Sequence, residues 1–220
     1  LKGNVIEPYL VVKAESSDED ITPGTQSPEK ETRYTWGLRA AGKGLFGGGF
    51  DYTIEPAYQS GSTMYEDFRT PANPGGLAKN SIDAWAVHAE AGYTFKSLPW
   101  TPRIGYAYSF ASGDDSFDEG SDKTFKQISP TQHAHNGYMD VIGWQNMIDH
   151  QLHLNLKPTK KLVVDVKAHF FELDEESDDW YHVGGTLVNG SGADRYLDAN
   201  GNSQDTDDEL GQEIDVTLKY

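Results

Sequence analysis

Residues 49–59 read GFDYTIEPAYQ, and every second side chain from Phe50 to Tyr58 is apolar. The intervening positions hold Asp51, Thr53, Glu55, Ala57 and Gln59. Successive side chains of a β-strand point to opposite faces, so this alternation predicts a strand with one apolar and one polar face. The fold therefore depends on what the apolar face contacts.

Seven further segments alternate in the same way, and the residues between them show no helical period. Together with the first segment they predict eight strands, at residues 5–14, 33–43, 49–59, 84–95, 103–110, 148–156, 162–170 and 213–220. Most of these segments are about 9 to 12 residues long, which suits a tilted strand that crosses a bilayer and exceeds the usual strand of a soluble sheet. Their length favours a membrane protein.

The connections between the predicted strands alternate between short and long. The short ones lie at 44–48, 97–102 and 157–160, and the long polar ones at 15–32, 60–81, 112–145 and 172–210. In an up-and-down sheet this pattern places every long loop on one side, as in outer-membrane barrels with tight periplasmic turns and long extracellular loops. Acidic runs such as ESSDED at 15–20 indicate that these loops are solvated.

Aromatic residues lie beside two of the short connections, where a barrel would have its lower aromatic girdle. They are Phe46, Phe50, Tyr93, Phe95 and Trp100. A soluble β-sandwich with these residues in its core is the alternative, but a sandwich does not explain the sorting of the loops. We therefore predict one transmembrane antiparallel up-and-down β-barrel domain, or part of one, over residues 1–220. Its apolar face would contact lipid in the outer membrane of a Gram-negative bacterium.

The composition argues against several other classes of protein. The 220 residues carry a formal net charge of −17, so nucleic acid is not an expected partner. No window approaches the roughly 18 consecutive apolar residues of a spanning helix. The absence of cysteine removes disulfides and thiolate metal sites from consideration.

Five stretches resemble a known family. They are RYTWGLRAAGK (33–43), DYTIEPAYQSG (51–61), PRIGYAYSFASGDD (102–115), residues 131–171, and ELGQEIDVTLKY (209–220). Over residues 33–220 the chain resembles the C-terminal half of the alginate-export family of outer-membrane porins. The resemblance implies a large single-chain barrel that lets a polar or polyanionic solute, such as the exopolysaccharide alginate, diffuse across the membrane.

The number of strands leaves two possibilities open. Members of the resembled family have more strands than this chain supplies, so we favour a fragment whose partners are the remaining strands of a larger barrel. The alternative is a short relative that closes with eight strands. Because side chains fill the interior of an eight-stranded barrel, such a protein would act in surface binding or adhesion through its acidic loops instead of passing solutes.

The resemblance also implies that cationic side chains lining the pore interact with the transported anion. The cationic residues in the polar phase of the predicted strands, which would line the pore, are Arg33, Arg39, Arg103 and Lys167. Charge-assisted hydrogen bonds from such residues would replace the hydration of the solute without holding it tightly. The same face carries the acids Asp51, Glu55, Glu90, Asp165 and Glu213. Cross-strand ion pairing within the wall is therefore the competing hypothesis for these residues.

The run DANGNSQDTDDE at 198–209 has the spacing of a calcium loop. Asp198, Asn200, Asn202 and Glu209 occupy its first, third, fifth and twelfth positions. Its sixth position is Ser203 instead of the usual glycine, and strands flank it instead of helices. Ca²⁺ is accordingly the one metal that the sequence suggests, and no organic cofactor is predicted.

Histidines raise the alternative of a membrane-embedded hydrolase. His153 and His169 lie in the polar phase of adjacent predicted strands, and Asp149 shares that phase. A hydrolase of this kind needs a nucleophile within hydrogen-bond reach of a base, and no serine stands in a recognisable motif. We therefore predict a protein that is not an enzyme.

Overall fold

The computed structural model describes residues 3–16, 30–44, 48–66, 77–115, 120–129, 135–186, 188 and 208–220. These residues form an all-β sheet. Within these ranges no helix has the length and apolar character needed to cross a membrane.

Eight strands follow one another as an antiparallel meander, in which each strand pairs with its neighbours along the chain. They are β1 (Asn4–Ser16), β2 (Lys30–Lys43), β3 (Phe50–Glu66), β4 (Leu77–Thr94), β5 (Arg103–Ala111), β7 (Met147–Leu156), β8 (Val163–Glu172) and β9 (Glu209–Lys219). A short strand, β6 (Ser121–Asp122), pairs parallel with β4. The predicted all-β, up-and-down fold is confirmed. Within the described residues β1 and β9 each pair on one side only, so the sheet is open.

The hairpin of β3 and β4 is longer than its alternating apolar segments. These strands contain 17 and 18 residues, and their ladder runs from Phe50 opposite Tyr93 to Glu66 opposite Leu77. The extension beyond the apolar segment lacks regular alternation and is rich in polar residues, with Ser60, Ser62 and Asp83 among them. Hydrophobic alternation marks the part of a strand with an apolar neighbour, and backbone pairing continues past it.

One face of the sheet exposes large apolar side chains in rows that cross the strands. Trp36, Tyr58 and Trp85 are neighbours in the register of β2, β3 and β4, and each is about half exposed. The Trp36 indole donates to Ser60 Oγ over 3.3 Å, and the Tyr58 hydroxyl donates to Asp83 over 2.9 Å. The apolar part of each of these two side chains therefore lies in the row, and its polar atom is hydrogen-bonded to a residue of the strand extensions. This arrangement is expected for aromatic residues at a membrane interface.

A second aromatic row lies near the short connections. Phe50, Tyr93 and Ile104 are neighbours in the register, and Tyr93 follows Trp85 by eight residues. Eight residues span about 26 Å along a strand, or roughly 20 Å across the membrane for a tilted barrel strand. This separation is close to the ~25 Å apolar band of outer-membrane barrels. The two rows therefore bound a belt of suitable height for a bilayer.

The opposite face is polar and partly covered by the chain between β5 and β7. A small apolar core lies between this covering chain and the long-loop ends of the strands. Its members are Ala84, Ala86, Ala111, Phe125, Ile142, Met147 and Phe171. The sequence pattern assigned residues 112–145 to a long polar loop, and the structure packs the described parts of this segment against the sheet. We call residues 120–129 and 135–146 the covering segments, and we call the face that they contact the inner face.

Candidate functional site

The inner face is built from the polar phase of the strands, because alternate residues of neighbouring strands meet side by side on one surface. Residues of this phase are buried under the covering segments or against one another. Arg33, Gln59, Asp149 and His169 have at most 1% of their surface exposed. Buried charges need partners, and the hydrogen bonds of these residues show how the sheet supplies them.

Arg103 on β5 is the centre of an ion-pair cluster near the short-connection end. Its guanidinium donates to both carboxylate oxygens of Asp51, with Nη2 2.5 Å from Oδ1 and Nε 3.0 Å from Oδ2. The same Nη2 donates to Glu90 Oε1 over 2.8 Å, and His153 Nδ1 lies 3.2 Å from that oxygen. Arg103 therefore bridges acids on β3 and β4, so cross-strand pairing accounts for its contacts.

Hydrogen bonds continue from this cluster across β7 to β8. His153 Nε2 lies 3.0 Å from Gln151 Oε1, and Gln151 Nε2 donates to Asp149 Oδ2 over 2.6 Å. Asp149 Oδ2 is also 2.8 Å from Nδ1 of His169. The histidines that suggested a hydrolase are thus members of a polar network that crosses five strands.

Arg33 on β2 is completely buried at the long-loop end. Its guanidinium donates to Glu31 over 3.0 Å, to Gln59 over 2.7 Å and to Asp122 over 2.9 Å. Asp122 belongs to the covering segment 120–129, so Arg33 attaches this segment to the sheet. A residue with no exposed surface cannot contact a passing solute in this arrangement.

Arg39 and Lys167 are the more accessible predicted cations. The Arg39 side chain is 41% exposed, donates to Glu7 over 2.6 Å and lies 3.8 Å from Glu55. Lys167 on β8 is half-buried and forms no ion pair within the described part of the chain. Asp165 precedes it by two residues in the same phase and is also half-buried. These side chains remain reachable from the space over the inner face.

The covering segment 135–146 is attached to β9 through Glu213. The backbone amides of Tyr138 and Met139 donate to Glu213 Oε1 over 2.7 and 2.9 Å, and the Tyr138 hydroxyl lies 2.7 Å from Thr217 Oγ1. Gly137 has φ +86°, and a Cβ there would lie 2.4 Å from Glu213 Oε2. Glycine at this position thus lets the backbone approach the carboxylate.

The other covering segment is attached to β3 through Gln59. Its amide nitrogen donates to the carbonyl of Lys126 over 2.8 Å, and its oxygen accepts from the Lys126 amide over 3.0 Å. The sequence pattern missed this contact and those of Asp122 and Tyr138, because an irregular segment has no period. The polar residue Gln59 in the inner phase indicates that a polar contact is present, but the sequence does not show which residue Gln59 contacts.

A third attachment lies beyond the ends of the strands, around Asp178. Its carboxylate accepts hydrogen bonds from the Asp114 amide over 3.0 Å, from Thr124 Oγ1 over 2.6 Å and from the Tyr181 hydroxyl over 2.8 Å. Burial raises the pKa of Tyr181, and the neighbouring Asp178 raises it further. The hydroxyl therefore stays protonated and donates to Asp178. The bonds from Asp114 and Thr124 to the same carboxylate hold the chain after β5 against the chain after β8.

The metal prediction is only partly covered by the structure. Asp198, Asn200 and Asn202 lie outside the described residues, and Glu209 begins β9 opposite Glu172. Among the residues that are described, no group of three or more histidine or acidic side chains is arranged to hold a metal ion. Calcium binding at residues 198–209 stays a prediction.

Comparison with curated proteins gave no match. The family model described as alginate export matches residues 3–220, including the β1 region that preceded the stretches of resemblance in the sequence. The chain therefore belongs to the alginate export family.

Proposed function

We propose that this chain forms part of the wall of an outer-membrane porin that passes polar or anionic solutes by passive diffusion. The observation that carries the proposal is the division between the two faces of the sheet. Large apolar side chains such as Trp36, Trp85 and Ile214 are half or more exposed on one face, and charged residues occupy the other. An exposed apolar belt of this extent needs an apolar neighbour, and lipid between two aromatic rows meets that need.

The open edges of the sheet support a barrel completed by further strands. An unpaired edge presents free backbone donors and acceptors, and in a bilayer each unsatisfied group costs several kcal/mol. β1 and β9 therefore require partners if the sheet spans a membrane. We propose that additional strands of the same barrel pair with both edges, which would place the inner face along a lumen.

The charges of the inner face suit passage better than tight binding. Arg103 and Arg33 are held by acids, so neither presents an unopposed charge to a solute. Arg39 and Lys167 are more accessible, and a solute would exchange water for transient contacts with them. The family to which the chain belongs is one of export, so we propose transport and no catalytic role for the histidine network.

Conductance measurements test this function. Planar bilayers that contain the protein should show channel steps with a preference for anions. Replacing Arg39 and Lys167 together by glutamine should reduce the anion-to-cation permeability ratio by about two- to five-fold, because the two exposed cations together contribute ~0.5–1 kcal/mol of attraction. Lys79→Gln is the matched control, since Lys79 is exposed in the apolar phase of β4.

Two results would contradict the proposal. Unchanged selectivity in the double variant would remove Arg39 and Lys167 from the mechanism. The absence of conductance steps in a correctly folded, membrane-inserted protein would instead favour surface binding through the acidic loops.

A further inference from the structure

The β4–β5 connection at 95–102 carries an exposed apolar surface. Phe95, Leu98 and Trp100 all have exposed side chains, and Trp100 is 57% exposed. Phe95 packs edge-on against Tyr93 of the lower aromatic row, with 5.0 Å between the ring centroids. The apolar surface of the belt therefore continues past this row into the connection.

Unfavourable backbone conformations hold Trp100 in its exposed position. Trp100 and Thr101 have φ angles of +64° and +42°, in the left-handed region that residues with a Cβ rarely adopt. The Thr101 amide donates to the Leu98 carbonyl over 3.1 Å, and the Lys157 amide donates to the Trp100 carbonyl over 2.8 Å. The second bond places the β4–β5 and β7–β8 connections side by side. Such conformations persist where surrounding contacts fix them, and they are common at binding sites.

The neighbouring β7–β8 connection supplies positive charge. Residues 157–162 read KPTKKL and contain no acid. Thr159 Oγ1 accepts hydrogen bonds from the Lys161 and Leu162 amides over 3.2 and 3.0 Å, so the turn has a defined shape. Lys160 and Lys161 are exposed and form no ion pair within the described ranges. Their ammonium groups are therefore available to an external anion.

Other lysines at the same end of the sheet belong to the inner face. Lys96 and Lys157 line one hollow together with Arg103. Lys160 and Lys161 are not among the described residues that line it. The positive charge at this end is therefore divided between the inner face and the tip of the β7–β8 connection, which adjoins the exposed apolar surface.

The depth of the β4–β5 connection matches the headgroup layer of a bilayer. Phe95 lies two residues beyond Tyr93, which is about 7 Å along a strand and roughly 5 Å across the membrane for a tilted strand. The headgroup layer is about 5–8 Å deep on each side of the hydrocarbon core. A tryptophan at this depth with lysines beside it suits the boundary between acyl chains and phosphate groups.

We propose that the β4–β5 and β7–β8 connections together bind the headgroup of an anionic phospholipid. Lys160 and Lys161 would bind the phosphate through charge-assisted hydrogen bonds, and Trp100 would pack beside the upper acyl chains. Continuity with the apolar belt favours a lipid over a soluble protein, and the unpaired ammonium groups favour an anionic headgroup over a zwitterionic one. The inference rests on the proposed function for the membrane in which the sheet lies.

Lipid-selective quenching tests the site. A variant that retains Trp100 as its single tryptophan, with phenylalanine at the others, is reconstituted in equimolar mixtures of phosphatidylglycerol and phosphatidylcholine. In each mixture only one of the two lipids is brominated. Trp100 should be quenched more strongly when phosphatidylglycerol carries the bromine, with a preference of about ten-fold at low salt. Equal quenching in the two mixtures, or no quenching in either, would overturn the proposal.

Matched charge variants locate the preference. Lys160→Gln combined with Lys161→Gln should reduce it to about two-fold or less, because both ammonium groups are lost. Lys96→Gln combined with Lys157→Gln removes the same charge from the inner face and should leave the preference unchanged. Lys160→Arg combined with Lys161→Arg should retain it. Equal losses in the two glutamine variants would overturn the proposal, because they would show a general charge effect.

Native mass spectrometry provides a measurement on the protein with all its tryptophans. The protein in detergent is mixed with equal amounts of the two lipids, and the mass that remains bound after detergent removal identifies the lipid. Phosphatidylglycerol should be retained preferentially, and the variant with glutamine at positions 160 and 161 should lose this preference. Equal retention of the two lipids by the unmodified protein would overturn the proposal, whether or not the single-tryptophan variant folds.

These tests separate this inference from the porin function. A headgroup preference in a protein that conducts no ions would support the lipid site and contradict the proposed pore. Ion conductance without a headgroup preference would support the pore and overturn the lipid site.

Discussion

Arg33 and Arg39 show how much two arginines in the same phase of one strand can differ in burial. Both lie in the polar phase of β2, and the sequence predicts the same role for each. Arg33 has no exposed surface and three hydrogen-bonded partners, whereas the Arg39 side chain is 41% exposed and pairs with Glu7. The difference arises because the covering segment that contains Asp122 lies over Arg33.

This difference in burial predicts that substitution of the two arginines lowers the free energy of unfolding by different amounts. Arg33→Gln should lower the free energy of unfolding by about 3 kcal/mol, because the buried carboxylates of Glu31 and Asp122 would lose their closest cationic partner. The Lys126 ammonium, 3.9 Å from Glu31 and 3.1 Å from Asp122, compensates only in part. Arg39→Gln should cost no more than ~1 kcal/mol, since the exposed pair with Glu7 is screened by water. Denaturant unfolding in detergent micelles measures both. Similar losses in the two variants would contradict the burial of Arg33.

At the scale of elements, the covering segments combine irregular backbone with fixed attachment points. Glu213 and Gln59 bind backbone groups of these segments, and Asp178 accepts a hydrogen bond from the Thr124 hydroxyl. These hydrogen bonds, together with the small apolar core at the long-loop ends of the strands, hold the segments over the inner face and narrow the space beside the sheet. We therefore expect the attachment at β9 to influence the width of the lumen.

Two glycines of the same connection provide a matched test. Gly137→Ala should displace Glu213 and break its bonds to the Tyr138 and Met139 amides, because the new Cβ would lie 2.4 Å from the carboxylate. Gly120→Ala places a Cβ in open space at a similar positive φ. Each substitution carries backbone strain of about 1 kcal/mol, so only the collision differs between them.

Single-channel recording distinguishes these variants. Gly137→Ala should raise the conductance, since segment 135–146 loses its attachment to β9. Gly120→Ala should leave the conductance unchanged. A rise in both variants, or in neither, would show that the contact with Glu213 does not limit the width of the lumen.

The strands were predicted correctly where one face of the strand contacts an apolar neighbour, because that contact makes every second side chain apolar. The alternation of Phe50, Tyr52 and Ile54 predicted β3 because lipid or protein against one face selects every second side chain. It did not predict the extension of β3 to Glu66, because apolar and polar residues do not alternate regularly there. It also did not predict the position of Tyr138, since irregular chain is placed by particular hydrogen bonds such as those to Glu213.

At the scale of the whole molecule, the two faces of the sheet separate the tryptophans into two environments. Trp36 and Trp85 are 52% and 51% exposed on the apolar belt. Trp144 and Trp180 pack against the buried cluster under the covering segments. If the belt contacts lipid, only the first pair meets acyl chains.

Quenching by brominated phospholipids tests this separation. Variants that retain a single tryptophan at position 85 or at position 180, with phenylalanine at the others, are reconstituted in vesicles. Trp85 fluorescence should be strongly quenched and Trp180 fluorescence should be nearly unaffected, because bromine quenches on close contact. An unquenched Trp85 in a folded protein would contradict the lipid-facing belt.

The height of the β3–β4 hairpin has a consequence outside the membrane. Strands of 17 and 18 residues are about 55–60 Å long, or roughly 40–45 Å across the membrane for a tilted barrel strand, well above the ~25 Å apolar band. In an outer membrane the surplus would stand above the lipid, within the layer of surface sugars. A phage or antibody bound to this projection would exert force on the hairpin. The hydrogen-bonded strands would transmit that force directly to the wall of the barrel.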